Sequence, residues 1–172
     1  MVYFIIIVAL LVIAAPILAI LPTQRDKARM AKRKRVMGLG IGVEMTTIED
    51  PDPDLKKYRS STGKPLPRRL SLTAYRLRRR LAPDQTAEQF PGWTIVRFNA
   101  RGRAPLLGDW YWEADAPGNE LNRVLGFLTA NLAQLPLDVI KIEEKNQFIS
   151  LYWHEDGEVQ EVIDFLERCV VL

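Results

Sequence analysis

The chain holds one cysteine and one histidine among 172 residues. A lone cysteine excludes an internal disulfide and any zinc site built from several thiolates. A lone histidine leaves no cluster for a metal or a proton relay. Charge is absent from residues 2–21, VYFIIIVALLVIAAPILAIL. Acid is scarce in the front of the chain and base in the back. Residues 1–103 carry 20 basic and 8 acidic side chains, and residues 104–172 carry 4 and 13, so +12 and −9 lie behind a formal net charge of +3. The patterns that mark common chemistries are missing as well. No Ser or Cys motif pairs with His154, which follows Tyr152-Trp153 and reads as a strand-end surface residue. Glu143-Glu144 and Glu155-Asp156-Glu158 lack the spacing of a calcium loop and read as solvated carboxylates. Gly38-Leu39-Gly40-Ile41-Gly42 lies between a helix and a strand, the reverse of the order in which a glycine-rich loop cradles phosphate, and reads as a joint. No catalytic residue, metal site or cofactor is therefore expected, and the chain is not read as an enzyme.

What is present begins with the apolar run. At about 1.5 Å per residue, twenty residues make a helix about 30 Å long, the thickness of a bilayer's hydrocarbon core. A cleaved signal needs basic residues before the run and a small-x-small site after it. Met1-Val2-Tyr3-Phe4 has no basic side chain, and no clean A-x-A precedes Thr23. The cations follow instead: Arg25, Lys27, Arg29, Lys32, Arg33, Lys34 and Arg35, against Asp26 alone. That asymmetry places the flank in the cytoplasm. The expectation is an uncleaved signal-anchor at 1–22 that spans a bacterial inner (plasma) membrane once, with the N-terminus outside and the C-terminal domain cytoplasmic. The seven cations are then contacts to the membrane surface or to phosphate, with anionic lipid head groups as partner. Residues 23–42 form a basic juxtamembrane arm and glycine-rich joint, 43–69 a short strand and proline-rich loop, and 70–172 the main domain.

The order of anchor, Leu21-Pro22-Thr23-Gln24-Arg25, basic helix, glycine and short strand resembles the small accessory subunit of the bacterial Sec translocase (YajC). Pro22, Gln24 and Arg25 match that family's M-R-P-Q-Q-K-R-like run, and Gly42, Val43 and Thr46 match its G-D-x-V-x-T segment. The resemblance covers residues 1–47. Ile48-Glu49-Asp50-Pro51 stands where the family has a Gly-Gly turn. The resemblance implies association with a translocase.

Beyond residue 47 the reading rests on periodicity. Alternation and β-branched or aromatic content predict strands at 43–47, 70–78, 93–98 and 106–114, and a hairpin of 138–144 with 147–153. Two amphipathic helices follow from the apolar stripes Leu121, Val124, Leu125, Leu128, Leu132, Leu135 and Val159, Val162, Ile163, Leu166, Cys169, Val170, the second capped by Asp156. These elements predict an α+β fold: after the transmembrane helix, a two-layer sandwich with a mainly antiparallel sheet. Strand 106–114, helix and hairpin suggest a ferredoxin-like split βαβ unit, with 93–98 supplying its missing strand. Trp110 and Trp112 share one strand face and Tyr111 the other. Under helices the tryptophans are core; exposed, they form with Arg78, Arg79 and Arg80 a partner surface.

Together these readings describe a single-pass inner-membrane accessory or scaffold protein that presents a cytoplasmic protein-interaction domain to a membrane protein complex. The alternative is a membrane-tethered nucleic-acid or ribosome-binding module, suggested by the arginines of 68–103.

Overall fold

The computed structural model describes residues 3, 23–52, 56–81, 83, 92–98, 103–113 and 122–172. A basic helix α1 (Gln24–Gly38) leads into strand β1 (Gly42–Glu49), and the chain returns as β2 (Arg69–Arg78). Then follow β3 (Trp93–Arg97), two three-residue strands β4 (Pro105–Leu107) and β5 (Trp110–Trp112), helix α2 (Asn122–Asn131), the hairpin β6 (Val139–Lys145) and β7 (Phe148–Trp153), and helix α3 (Val159–Cys169). The strands form one seven-stranded sheet in the order β1-β2-β7-β6-β3-β5-β4, and every pairing is antiparallel.

Each strand alternates between two faces, so register decides what is buried. Tyr75 of β2, Ile149, Leu151 and Trp153 of β7, Ile142 of β6 and Ile95 of β3 share the face that carries the main core, and none is measurably exposed. Leu128 of α2 and Val162, Ile163, Phe165 and Leu166 of α3 close over it, with Phe127 and Phe165 meeting at 5.3 Å between ring centres. Val36 and Ile41, at the end of α1 and before β1, belong to the same core. A smaller cluster of Leu72, Ala74, Ile140 and Tyr152 lies on the opposite face. The β6–β7 turn is Asn146-Gln147, both at positive φ, the geometry that matches the twist of a two-residue hairpin.

Three expectations need correction. Among the described residues no helix is long and apolar enough to cross a membrane, so the single transmembrane helix is not supported, and the membrane-anchored reading loses its support with it. Residues 1, 2 and 4–22, where that helix was expected, lie outside the described residues. The described helix nearest to them, α1, starts afresh at Thr23, whose backbone is extended and whose side chain forms a reciprocal capping box with Asp26. The ferredoxin-like unit also differs. Residues 106–114 do not make one strand, because Gly108 at φ +59 turns the chain between β4 and β5. The strand that shares the direction of β6, with β7 between them, is β2 rather than 106–114. Finally, Asp156 does not cap α3: the N-cap is Glu158, without a side-chain cap bond.

The turn before α3 is tightly fitted. A Cβ on Gly157 falls 2.3 Å from Pro136 Cβ and 2.8 Å from Asp138 Oδ1, whereas one on Gly126 in α2 meets nothing within 4 Å. Gly157→Ala is expected to cost about 1–3 kcal/mol by overpacking, and Gly126→Ala to add about 0.5–1 kcal/mol by removing backbone freedom from the unfolded chain. Thermal unfolding of both variants checks this; an unchanged midpoint for Gly157→Ala contradicts the packing of 136–138 against 157.

Candidate binding cleft

Helix α1 has two kinds of contact with the domain. Val36 sinks into the core at its C-terminal end. Toward its N-terminal end a stripe at helical spacing, Arg25, Arg29, Lys32 and Arg33, meets the turn after β7. Arg25 Nη2 donates to Asp156 Oδ2 at 2.6 Å, and Arg29 Nη2 donates to Asp156 Oδ1 at 2.9 Å. Lys32 Nζ donates to the carbonyls of Glu155 (2.9 Å) and Gly157 (2.7 Å) and stands 5.8 Å over the Trp153 ring. Arg35 reaches the side-chain oxygen of Gln160. Lys27 and Lys34 are exposed.

Arg33 and Glu155 form the innermost contact. Glu155 is 2% exposed and its φ is +64, an uncommon conformation for a residue with a side chain. Its carboxylate accepts from Arg33 Nε at 2.9 Å, Thr73 Oγ1 at 2.9 Å and Tyr75 Oη at 2.9 Å, and pairs with Arg33 Nη2. Burial alone pushes the Glu155 carboxyl up, but the donors Arg33, Thr73 and Tyr75 and the Arg33 charge outweigh it and hold it below the ordinary range. Burial, then the Glu155 charge and hydrogen bond, push the Tyr75 phenol up, so Tyr75 remains a donor. At the exposed end, hydrogen bonds from Arg25, helped by Arg29, lower the Asp156 carboxyl.

A cleft of about 310 Å³ opens between this helix and the edge of the sheet. Arg29 and Arg33 wall one side, Trp153, His154 and Glu155 the other, and Met45, Thr47, Ser71 and Thr73 line the sheet side. Thr47 and Ser71 are opposed across β1–β2, as are Met45 and Thr73. Guanidinium groups beside hydroxyls suit an oxyanion. Arg29 Nε and Trp153 Nε1 are buried donors without an acceptor among the described residues, and Arg33 Nη1 has the weak thioether acceptor Met45 Sδ at 3.4 Å. His154, expected on the surface, is half-buried in the wall, and its backbone donates to Asp138 O at 3.2 Å.

The residues expected to form a partner surface do not come together. Trp110 and Trp112 are 2% and 5% exposed and belong to the main core, so they are core rather than an aromatic platform. Arg79, 3% exposed, pairs with buried Glu144, which also accepts from Trp93 Nε1 at 2.8 Å. Its neighbours Arg78 and Arg80 are exposed, because alternation sends consecutive side chains to opposite faces. Of the expected surface-binding cations, Arg25, Arg29, Lys32, Arg33 and Arg35 instead bind the protein's own 155–160 segment. Glu155, which reads in the sequence as a solvated carboxylate, is buried, and Thr73 and Tyr75 carry no sequence pattern that marks a site. The signal that finds Glu155 and Asp156 is the charge imbalance itself: a basic front half and an acidic back half attract each other within one chain.

No protein-family model, curated protein or solved structure matches the chain. The resemblance of residues 1–47 to the Sec accessory subunit therefore rests on the residues quoted for it.

Glu155→Gln strands Arg33 beside a neutral amide. It is expected to cost about 2–3 kcal/mol, less than the about 3–5 kcal/mol of a fully buried pair, because Arg33 is 27% exposed. The pH dependence has a fixed sign. A carboxyl depressed in the folded state stabilises it above its ordinary value of 4.5 and loses that contribution as pH falls through the lower, folded value. Urea unfolding of the parent chain from neutral pH to below 4 should show this loss, and Glu155→Gln should lack Glu155's part of it. Equal acid sensitivity in both chains contradicts the assignment.

Proposed function

We propose that the chain is a protein-interaction module that accepts an extended segment of a partner as an added strand along β1. One observation carries this reading. Strand β1 is an edge with an unbroken eight-pair register to β2, from Gly42 opposite Arg76 to Glu49 opposite Arg69. It has no proline, no lysine and no bulge, and its two charged residues are Glu44, paired with Arg76, and Glu49. Val43, Thr46, Thr47 and Ile48 favour extended backbone. The other edge is blunted in the usual way: β4 has three residues, begins at Pro105 and pairs with β5 through an irregular register. An unblunted edge offers alternate N–H and C=O groups to an incoming strand, and side-chain pockets beside it supply selectivity. Met45, 75% exposed, and Thr47 put such a pocket next to the edge.

Peptides selected from a random library against the full chain test this. Enriched sequences are expected to be rich in β-branched residues. Consecutive residues of β1 direct their N–H groups alternately outward and toward β2. One of Met45→Pro and Thr46→Pro should therefore abolish peptide binding with little loss of stability, and the other should destabilise the sheet. Helix-forming peptides whose binding ignores both substitutions would falsify strand addition.

A further inference from the structure

The reading of β1 as a docking edge says where a partner strand lies and leaves its chemistry open. From the cleft we infer that the added strand is acidic: its carboxylate side chains face α1, and one enters the cleft between Arg29, Arg33 and the hydroxyls of the sheet. This rests on the strand-addition reading and goes beyond it by naming what is recognised.

Three observations support it. The first is position. Met45, Thr46 and Thr47 of β1 line the cleft, and a strand laid against β1 sets every second side chain on the face of Met45 and Thr47. The second is charge. Arg29 and Arg33 line the cleft, Arg25 and Lys32 continue the same stripe of the helix, and the carboxylates set against these four cations are Glu155 and Asp156. Two positive charges are left over, with Lys27 and Lys34 exposed on the same helix. The third is unmet donor capacity. Arg29 Nε has no acceptor among the described residues and Arg33 Nη1 only a thioether sulfur. Carboxylates accept strongly from guanidinium groups, and Thr47 and Ser71 add hydroxyl donors nearby, the Thr73 hydroxyl being spent on Glu155.

The same charge argues against a second copy of this chain as the occupant. Antiparallel pairing of β1 with its own copy keeps matching faces on the same side of the joined sheet. It would set two α1 helices, each with seven cations and one acid, side by side. Like charges so placed repel. An acidic segment is attracted to the same helix and steered to it.

The test uses the full chain and extended peptides of about eight residues, a length that matches β1. One peptide alternates Val or Thr with Glu; a second carries Gln in place of Glu, and a third Lys. Fluorescence anisotropy reads the affinity of each. The Glu peptide is expected to bind about tenfold or more tighter than the Gln peptide, as charge-assisted bonds require, and the Lys peptide weakest. Added salt should shrink the difference, and Arg29→Gln should remove most of it. N-methylation of alternate backbone amides of the Glu peptide should abolish binding. Equal affinities for all three peptides, still abolished by N-methylation, would overturn the carboxylate and leave strand addition standing. Binding of the Glu peptide that survives N-methylation would overturn strand addition and with it this inference. A single-stranded oligonucleotide that displaces the Glu peptide and is itself weakened by Arg29→Gln would assign these cations to nucleic acid and overturn the acidic strand.

Discussion

The buried carboxylate of Glu155 ties the basic helix to the sheet. It sits at the end of β7, takes Arg33 from α1, and takes hydroxyls from Thr73 and Tyr75 of β2. A charge this deep is tolerated only when its lone pairs are satisfied. The requirement works in both directions: the sheet needs the helix to neutralise Glu155, and the helix needs the turn to organise its cations. Tyr75 also packs edge-on against Trp153, at 5.2 Å between ring centres, so the polar contact is anchored in the main core. The position of α1 then determines the cleft, since one wall of the cleft is α1 itself.

The two edges of the sheet are built differently. The β4 edge is short, irregular and begins with proline, and the chain turns away from it at Gly108. The β1 edge is long, regular and rich in residues that favour extended backbone. Antiparallel sheets with an open edge are prone to unwanted pairing. Here the helix that precedes that edge carries seven cations and one acid, and Arg25, Arg29 and Arg33 among them pair with Asp156 and Glu155.

Several features were legible in the sequence. The hairpin of β6 and β7, the apolar stripe of α3, the strand at 42–49 and the extended stretch at 69–78 appear within a few residues of where periodicity puts them, whereas in α2 Val124 and Leu128 are buried and Leu125 is exposed. Local patterns report local structure because side-chain direction has a period of 2 in strands and 3.6 in helices. Burial was harder. Trp110 and Trp112 alternate identically whether a helix covers them or water does. Arg79 reads like Arg78 and Arg80 until Glu144, 65 residues away, is brought beside it. The cleft is likewise assembled from residues 29 to 155.

By itself the sequence determined the periodic elements, the burial of Cys169 on an apolar helix stripe, and the separation of a basic front from an acidic back. Local chemistry suffices for each of these. That Arg25, Arg29 and Arg33 of α1 meet the carboxylates of Asp156 and Glu155 is visible only in the tertiary structure. So are the place of β2 beside β7, the position of β1 at the edge of the sheet among the described residues, and the burial of Trp110 and Trp112. The physical reason is range. Propensity and periodicity act over one or two turns, whereas an ion pair or a strand pairing depends on which distant segment the fold brings within a few ångströms, and no local pattern encodes that choice.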